Sequence, residues 1–123
     1  MRDNLELKEL RPEVFCEKSP NSSVIENFQN ESLRPILKYQ HELFIEFVKS
    51  KKEFGILLKK DISIIKRRSN LKNFFVKQPS IKYFLIGNIT GLFTNQEFDF
   101  YLQNKTELDK RIYSLLTERI LSI

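Results

Sequence analysis

Apolar residues recur at helical spacing along most of this chain, and that recurrence constrains its fold more than any other feature. The clearest stripe is C-terminal and consists of Leu108, Ile112, Leu115, Leu116 and Ile120. No Asn-Gly or Asp-Gly hairpin and no alternating apolar run competes with it. A chain of 123 residues is of ordinary size for one domain and too short for two. We therefore predict an all-α, single-domain bundle of about five helices.

The chain divides into an N-terminal arm over residues 1–22 and a helical bundle over residues 23–123. Prolines at positions 12 and 20 interrupt the arm, and only residues 5–10 could form a short helical turn. We expect the arm to pack along the body of the bundle.

A long helix is predicted over residues 24–52, because Ser23 and Glu26 have capping-box spacing and an apolar stripe follows them. Pro35 lies inside this helix, where a proline removes one backbone hydrogen bond and clashes with the preceding turn. We expect a kink or a break near residues 33–35.

A second amphipathic helix is predicted over residues 61–76, and four of its residues are expected to face inward: Ile64, Ile65, Leu71 and Phe75. Pro79 is suited to the first position of a third helix, which extends to about residue 92. This helix is apolar on nearly all sides, which predicts a central position in the bundle.

Gly87 and Gly91 lie one turn apart on the third helix, which predicts close packing of a neighbouring helix there. Thr94 and Glu97 have the spacing of a second capping box, and Asn104 with Glu107 offers a third cap. The last two helices are therefore expected to begin near these positions.

The net charge of +5 is concentrated in residues 49–82, where 11 basic residues face only Glu53 and Asp61. One interpretation is a nucleic-acid contact through Lys66, Arg67, Arg68 and Lys72, with aromatic stacking on Phe74 and Phe75. The other is a solvated helix face beside the edge of the core. The abundant lysine, asparagine, isoleucine, phenylalanine and tyrosine, all read from A/T-rich codons, fit the second interpretation.

The chain has one histidine and one cysteine, which excludes most metal and nucleophile chemistry. A Gly-rich phosphate loop and a nucleophile elbow are also missing from the sequence. We expect no cofactor, no metal site and no catalytic residues, and a hydrogen-bonded rather than metal-ligating His41. Cys16 alone cannot form an internal disulfide, which fits a reducing compartment.

Four polar residues follow at spacings of four, four and three along the long helix: Asn30, Arg34, Lys38 and His41. Such a row could bind a small carboxylate or phosphate, with Arg34 as a bidentate donor. In the other interpretation Arg34 pairs with Glu31 or with a carboxylate of the arm, Glu9 or Glu13, and so holds the arm on the body.

Three stretches resemble a family of small helical bacterial proteins without an assigned function: residues 8–13, residues 28–38, and residues 91–94 together with Glu97 and Tyr101. The resemblance implies an all-helical fold. Members of the family often carry the label glyoxalase, but glyoxalases need several histidine ligands on folds that contain strands. A chain with His41 alone does not support that activity.

We predict a non-enzymatic, cytoplasmic protein that acts through protein contacts as a homodimer. Eleven phenylalanines and a C-terminal helix ending in Ile120, Leu121 and Ile123 supply more apolar surface than the short helices hide. No stretch has the pattern of a signal peptide or a membrane span, so no membrane partner is expected. Nucleic-acid binding through residues 49–82 and anion binding near Arg34 remain alternatives.

Overall fold

The structure is a computed structural model that describes residues 1–16 and 20–123, and these residues form helices and connecting turns without any strand. An all-α fold is thus confirmed, but the described residues contain eight α-helices rather than about five. Three of the eight have only five or six residues, too few to produce an apolar stripe in the sequence. The helices are α1 (Asn4–Glu9), α2 (Val24–Phe28), α3 (Arg34–Ser50), α4 (Lys52–Leu57), α5 (Ile64–Lys77), α6 (Pro79–Thr90), α7 (Asn95–Gln103) and α8 (Lys105–Leu121).

The predicted long helix is present as α2, a π-helical segment over Gln29–Leu33, and α3. Ser23 caps its start, since its Oγ accepts the backbone N–H of Glu26. Arg34 donates its backbone N–H to the oxygen of Gln29, five residues back. The wider π turn therefore immediately precedes Pro35, whose missing N–H falls in the first turn of α3. The chain accommodates this proline by a change of hydrogen-bond register.

Helix α6 packs against α3, α5 and α8, as its apolar sequence predicts for a central helix. It begins at Pro79 as expected. Its inward side buries Leu85, Ile86 and Ile89. Gln40 of α3 is also buried, and its Nε2 donates to the backbone oxygen of Asn88 at 2.9 Å. This bond fixes α3 against the C-terminal half of α6.

The aromatic side chains connect α3, α4, α5 and α8. Phe54 is completely buried, and its ring centroid lies 5.0 Å from that of Phe74 and 6.2 Å from that of Phe47. Phe75 is buried next to them and contacts the ring of Tyr113. Phe74 and Phe75 thus belong to the packed interior or its edge, which removes Phe75 as a platform for stacking bases.

Two predictions at helix starts need correction. Ile64 and Ile65, which the sequence pattern predicts to face inward, are exposed because they occupy the first turn of α5. Only Leu71 and Phe75, later in the helix, are buried in the core. Asn104 does precede α8, but its side chain makes no capping bond there. Its Nδ2 instead donates back to the oxygen of Phe100 at 3.0 Å. Over residues 1–16 and 20–123, no helix has the length and apolarity to cross a membrane.

Candidate functional site

The arm contacts the loop between α6 and α7 and the start of α7 through Arg11. Its guanidinium forms two hydrogen bonds with the carboxylate of Glu97, Nη1 to Oε2 at 2.7 Å and Nη2 to Oε1 at 2.6 Å. The two side chains are only 9% and 10% exposed. Arg2 adds bonds to the backbone oxygens of Gly91 and Phe93, and the side chain of Asn4 accepts the N–H of Asn95.

Glu97 also completes the predicted capping box of α7. Its Oε1 accepts the backbone N–H of Thr94 at 2.8 Å, while the Thr94 hydroxyl accepts the N–H of Glu97. Burial by itself favours the neutral acid, but hydrogen bonds from Arg11, Ser32 and Thr94 favour the carboxylate and lower the pKa of Glu97 to about 2. The cap was predictable from spacing, whereas the pairing with Arg11 was not.

Tyr101 on the same helix has a different partner. Its hydroxyl donates to Oδ1 of Asp109 at 2.6 Å. Burial and this hydrogen bond raise the pKa of Tyr101 well above its ordinary value. Glu97 and Tyr101 therefore have separate structural partners, Arg11 and Asp109.

The predicted polar row lies along one side of the α2–α3 helix, and each member has a defined contact. Nε of Arg34 donates to Oδ1 of Asn30 at 3.0 Å, and Nζ of Lys38 donates to the backbone oxygen of Glu13 at 3.2 Å. Nδ1 of His41 lies 3.0 Å from Nη1 of Arg119. Since a guanidinium can only donate, Nδ1 of His41 is the acceptor.

Arg119 of α8 is the site residue that sequence reasoning missed. It sits beside Arg34, so that burial and the Arg34 charge lower the pKa of Arg119. Together with Lys38 these cations line a groove of about 440 Å³ between α3, α8 and the end of the arm, which we call the α3–α8 groove. In the described part of the chain, the arm carboxylates Glu9 and Glu13 form no ion pair with Arg34.

The basic residues of α5 do not project from one side of the helix. Lys66, Arg67 and Arg68 are consecutive and point in different directions. Nε of Arg67 donates to the backbone oxygen of Ile62, and Arg68 forms an ion pair with Glu118 of α8. Lys66 and Lys72 are exposed. Two of the four candidate nucleic-acid contacts are thus engaged within the chain.

Gly87 on α6 and Gly91, which directly follows that helix, are both exposed. A Cβ atom at Gly87 would have no described atom within 4 Å, so the predicted close packing of a helix is not found there. A Cβ at Gly91 would lie 2.9 Å from the backbone oxygen of Gly87. The space beside Gly87 is therefore open.

The side chains that could ligate a metal ion are not clustered in the described part of the chain. Among the described residues, no three histidine, cysteine, aspartate or glutamate side chains lie close enough together to hold a metal ion. Cys16 is half-buried in the arm, and His41 is bonded to Arg119.

Comparison with known proteins gives no match, since no protein-family model, curated protein or solved structure is similar to this chain. Its function has to be inferred from its own geometry.

Proposed function

We propose that the protein acts through protein contacts, as a homodimer that forms across the exposed side of α6. The observation that carries the proposal is the open side of this central helix, on which Ser80, Phe84 and Gly87 are exposed. We call this surface the α6 face. Phe84 is 55% exposed although it belongs to the most apolar helix of the bundle. A helix that is apolar all round is normally covered on every side.

Apolar residues of α3 extend the α6 face. The ring of Phe84 lies 5.1 Å from that of Phe47, centroid to centroid. Leu43, one turn before Phe47, is 56% exposed, and Tyr39, one turn before Leu43, is 44% exposed. Large exposed apolar patches of this kind mark interaction surfaces in soluble proteins.

Charge is scarce on the α6 part of this surface, which supports burial against another protein, whereas at the end of α3 the Nζ of Lys51 lies 5.8 Å from the centroid of the Phe47 ring. Helix α6 contains a single charged residue, Lys82, although 30% of the chain is charged. The Lys82 Nζ lies 4.6 Å from the centroid of the Tyr113 ring, on the side of α6 that packs against α8. Depletion of charge at the centre of a patch is typical of protein interfaces.

The shape of the α6 face favours a second copy of the same chain. A protruding ring at Phe84 and an open notch at Gly87 lie one turn apart on the same side of one helix. If two α6 helices cross antiparallel about a two-fold axis between residues 85 and 86, Phe84 faces Gly87 of the partner subunit. The reciprocal contact follows from the symmetry, as in any isologous interface.

Light scattering coupled to size exclusion tests the proposal with the variant Gly87→Glu. The added side chain enters open space in the monomer, but it places bulk and charge in the centre of the dimer contact. We expect the unsubstituted protein to have twice the 14.7 kDa mass of one chain and Gly87→Glu to have the mass of one chain.

Gly55→Glu is the matched control, because Gly55 is also an exposed helical glycine with no described atom within 4 Å of a Cβ. It lies on α4, outside the α6 face, so this variant should remain dimeric. A monomeric unsubstituted protein at high micromolar concentration would overturn the proposal. So would a dimer that Gly87→Glu leaves intact.

A further inference from the structure

We propose that the α3–α8 groove binds a small organic phosphate, held by Arg34, Lys38 and Arg119. The groove is a separate surface from the α6 face, so this inference does not rest on the dimer. Its volume of about 440 Å³ is within the range of small-molecule sites.

Two of the cations in the groove, Arg34 and Arg119, lie side by side, and in the described part of the chain they bond to neutral groups rather than to carboxylates. Arg34 and Arg119 come from different helices and are placed side by side, each half-buried. Their bonds within the described residues go to neutral acceptors, Oδ1 of Asn30 and Nδ1 of His41. Two like charges without a carboxylate between them repel each other, and an anion in the groove relieves that repulsion.

The two carboxylates at the groove do not neutralise this pair. Glu118 forms its ion pair with Arg68 of α5. Glu13 is exposed, and it is its backbone oxygen that accepts the bond from Lys38. With respect to residues 1–16 and 20–123, two guanidinium groups and one ammonium therefore remain for a ligand, which suits the three oxygens and double charge of a phosphate monoester.

The remaining lining indicates an organic group on the phosphate. Val14 and Phe15 of the arm, together with Leu115 of α8, supply apolar surface beside the cations. Phe15 projects almost fully exposed, so its ring is open to a flat or apolar partner. Bound phosphate would place its ester substituent against these side chains.

Calorimetric titration with three probes tests the proposal: phenyl phosphate, inorganic phosphate and phenol. We expect phenyl phosphate to bind about tenfold more tightly than inorganic phosphate, and phenol not to bind detectably. Binding should weaken as salt is raised. Equal binding of phenyl phosphate and inorganic phosphate would overturn the assignment to an organic phosphate.

The variants Arg34→Gln and Arg119→Gln should each weaken phenyl phosphate binding about tenfold or more. Arg111→Gln is the matched control, because Arg111 is also on α8 but contacts Gln29 and Glu107 outside the groove. This variant should bind phenyl phosphate with unchanged affinity. Lys38→Gln gives a second test if an arginine variant does not fold, since Lys38 is exposed. No binding at millimolar phenyl phosphate, or equal losses in the control, would overturn the site.

Discussion

The substitution Glu97→Gln tests whether the arm is held by a buried charge. Glutamine at this position can still cap the backbone of Thr94, so helix α7 keeps its start. The change removes the negative charge that faces Arg11 and leaves that guanidinium 9% exposed and unneutralised. The substitution therefore isolates the ion pair from the cap.

The expected magnitude follows from the pKa of Glu97, which is about 2 in the folded protein against an ordinary value of 4.5. That difference corresponds to about 3 kcal/mol of folding stability at neutral pH. Because the folded-state pKa is the lower one, this stabilisation is present above the unfolded-state pKa near 4.5. It is lost as the pH falls toward 2. We therefore expect Glu97→Gln to lower the free energy of unfolding by about 3 kcal/mol at pH 7, and by clearly less at about pH 3.

Urea unfolding followed by circular dichroism at the two pH values measures this difference. Glu107→Gln is the matched control: Glu107 is also in the first turn of a helix, but its side chain is 58% exposed and 3.5 Å from Arg111. It should cost less than about 1 kcal/mol. A loss below about 1 kcal/mol for Glu97→Gln, or the same pH dependence as the unsubstituted protein, refutes the reasoning.

Three further substitutions probe the core, the α6 face and the Tyr101 hydrogen bond. Phe54→Ala should cost about 3–5 kcal/mol in urea unfolding, because the ring is completely buried among other rings. The half-exposed Phe98→Ala should cost clearly less, and equal losses would contradict this. Gly87→Ala should raise the stability of the monomer by about 1 kcal/mol at low protein concentration, through helix propensity alone; a loss would mean that the glycine is needed for packing. Tyr101→Phe should cost about 1 kcal/mol and remove the last tyrosine to ionise when absorbance is followed to high pH. An unchanged tyrosine titration would contradict that assignment.

Features of this fold that depend on residues close together in the sequence could be predicted. The start of α6 at Pro79 and the capping box of Thr94 and Glu97 involve residues within one turn of each other. The packing of α6 against α3, α5 and α8 fits its largely apolar composition, but its exposed side could not be predicted from that composition. A proline in the first turn and a capping box each involve residues at a fixed spacing, so the spacing alone identifies the start of a helix.

Pairings between distant residues could not be predicted. Arg11 and Glu97 are 86 positions apart, and Arg119 and His41 are 78 apart. No spacing rule links such positions, and the sequence contains many acceptors with which either arginine could pair. The exposed Ile64 and Ile65 show the same limit, because an apolar residue in the first turn of a helix faces the core only if a neighbouring element covers it.

The long separation between Arg11 and Glu97 has a consequence for how the protein is made. During synthesis the arm leaves the ribosome before the helices of the bundle, and its ion-pair partner on α7 follows only after α2 to α6 have emerged. Contacts of such high sequence separation form late, since the loop must close before the bond is gained. Until then, Arg11 has no partner on α7. Docking of the arm is therefore expected to be a late step of folding on the ribosome, after the segments that form most of the helical core have been synthesised.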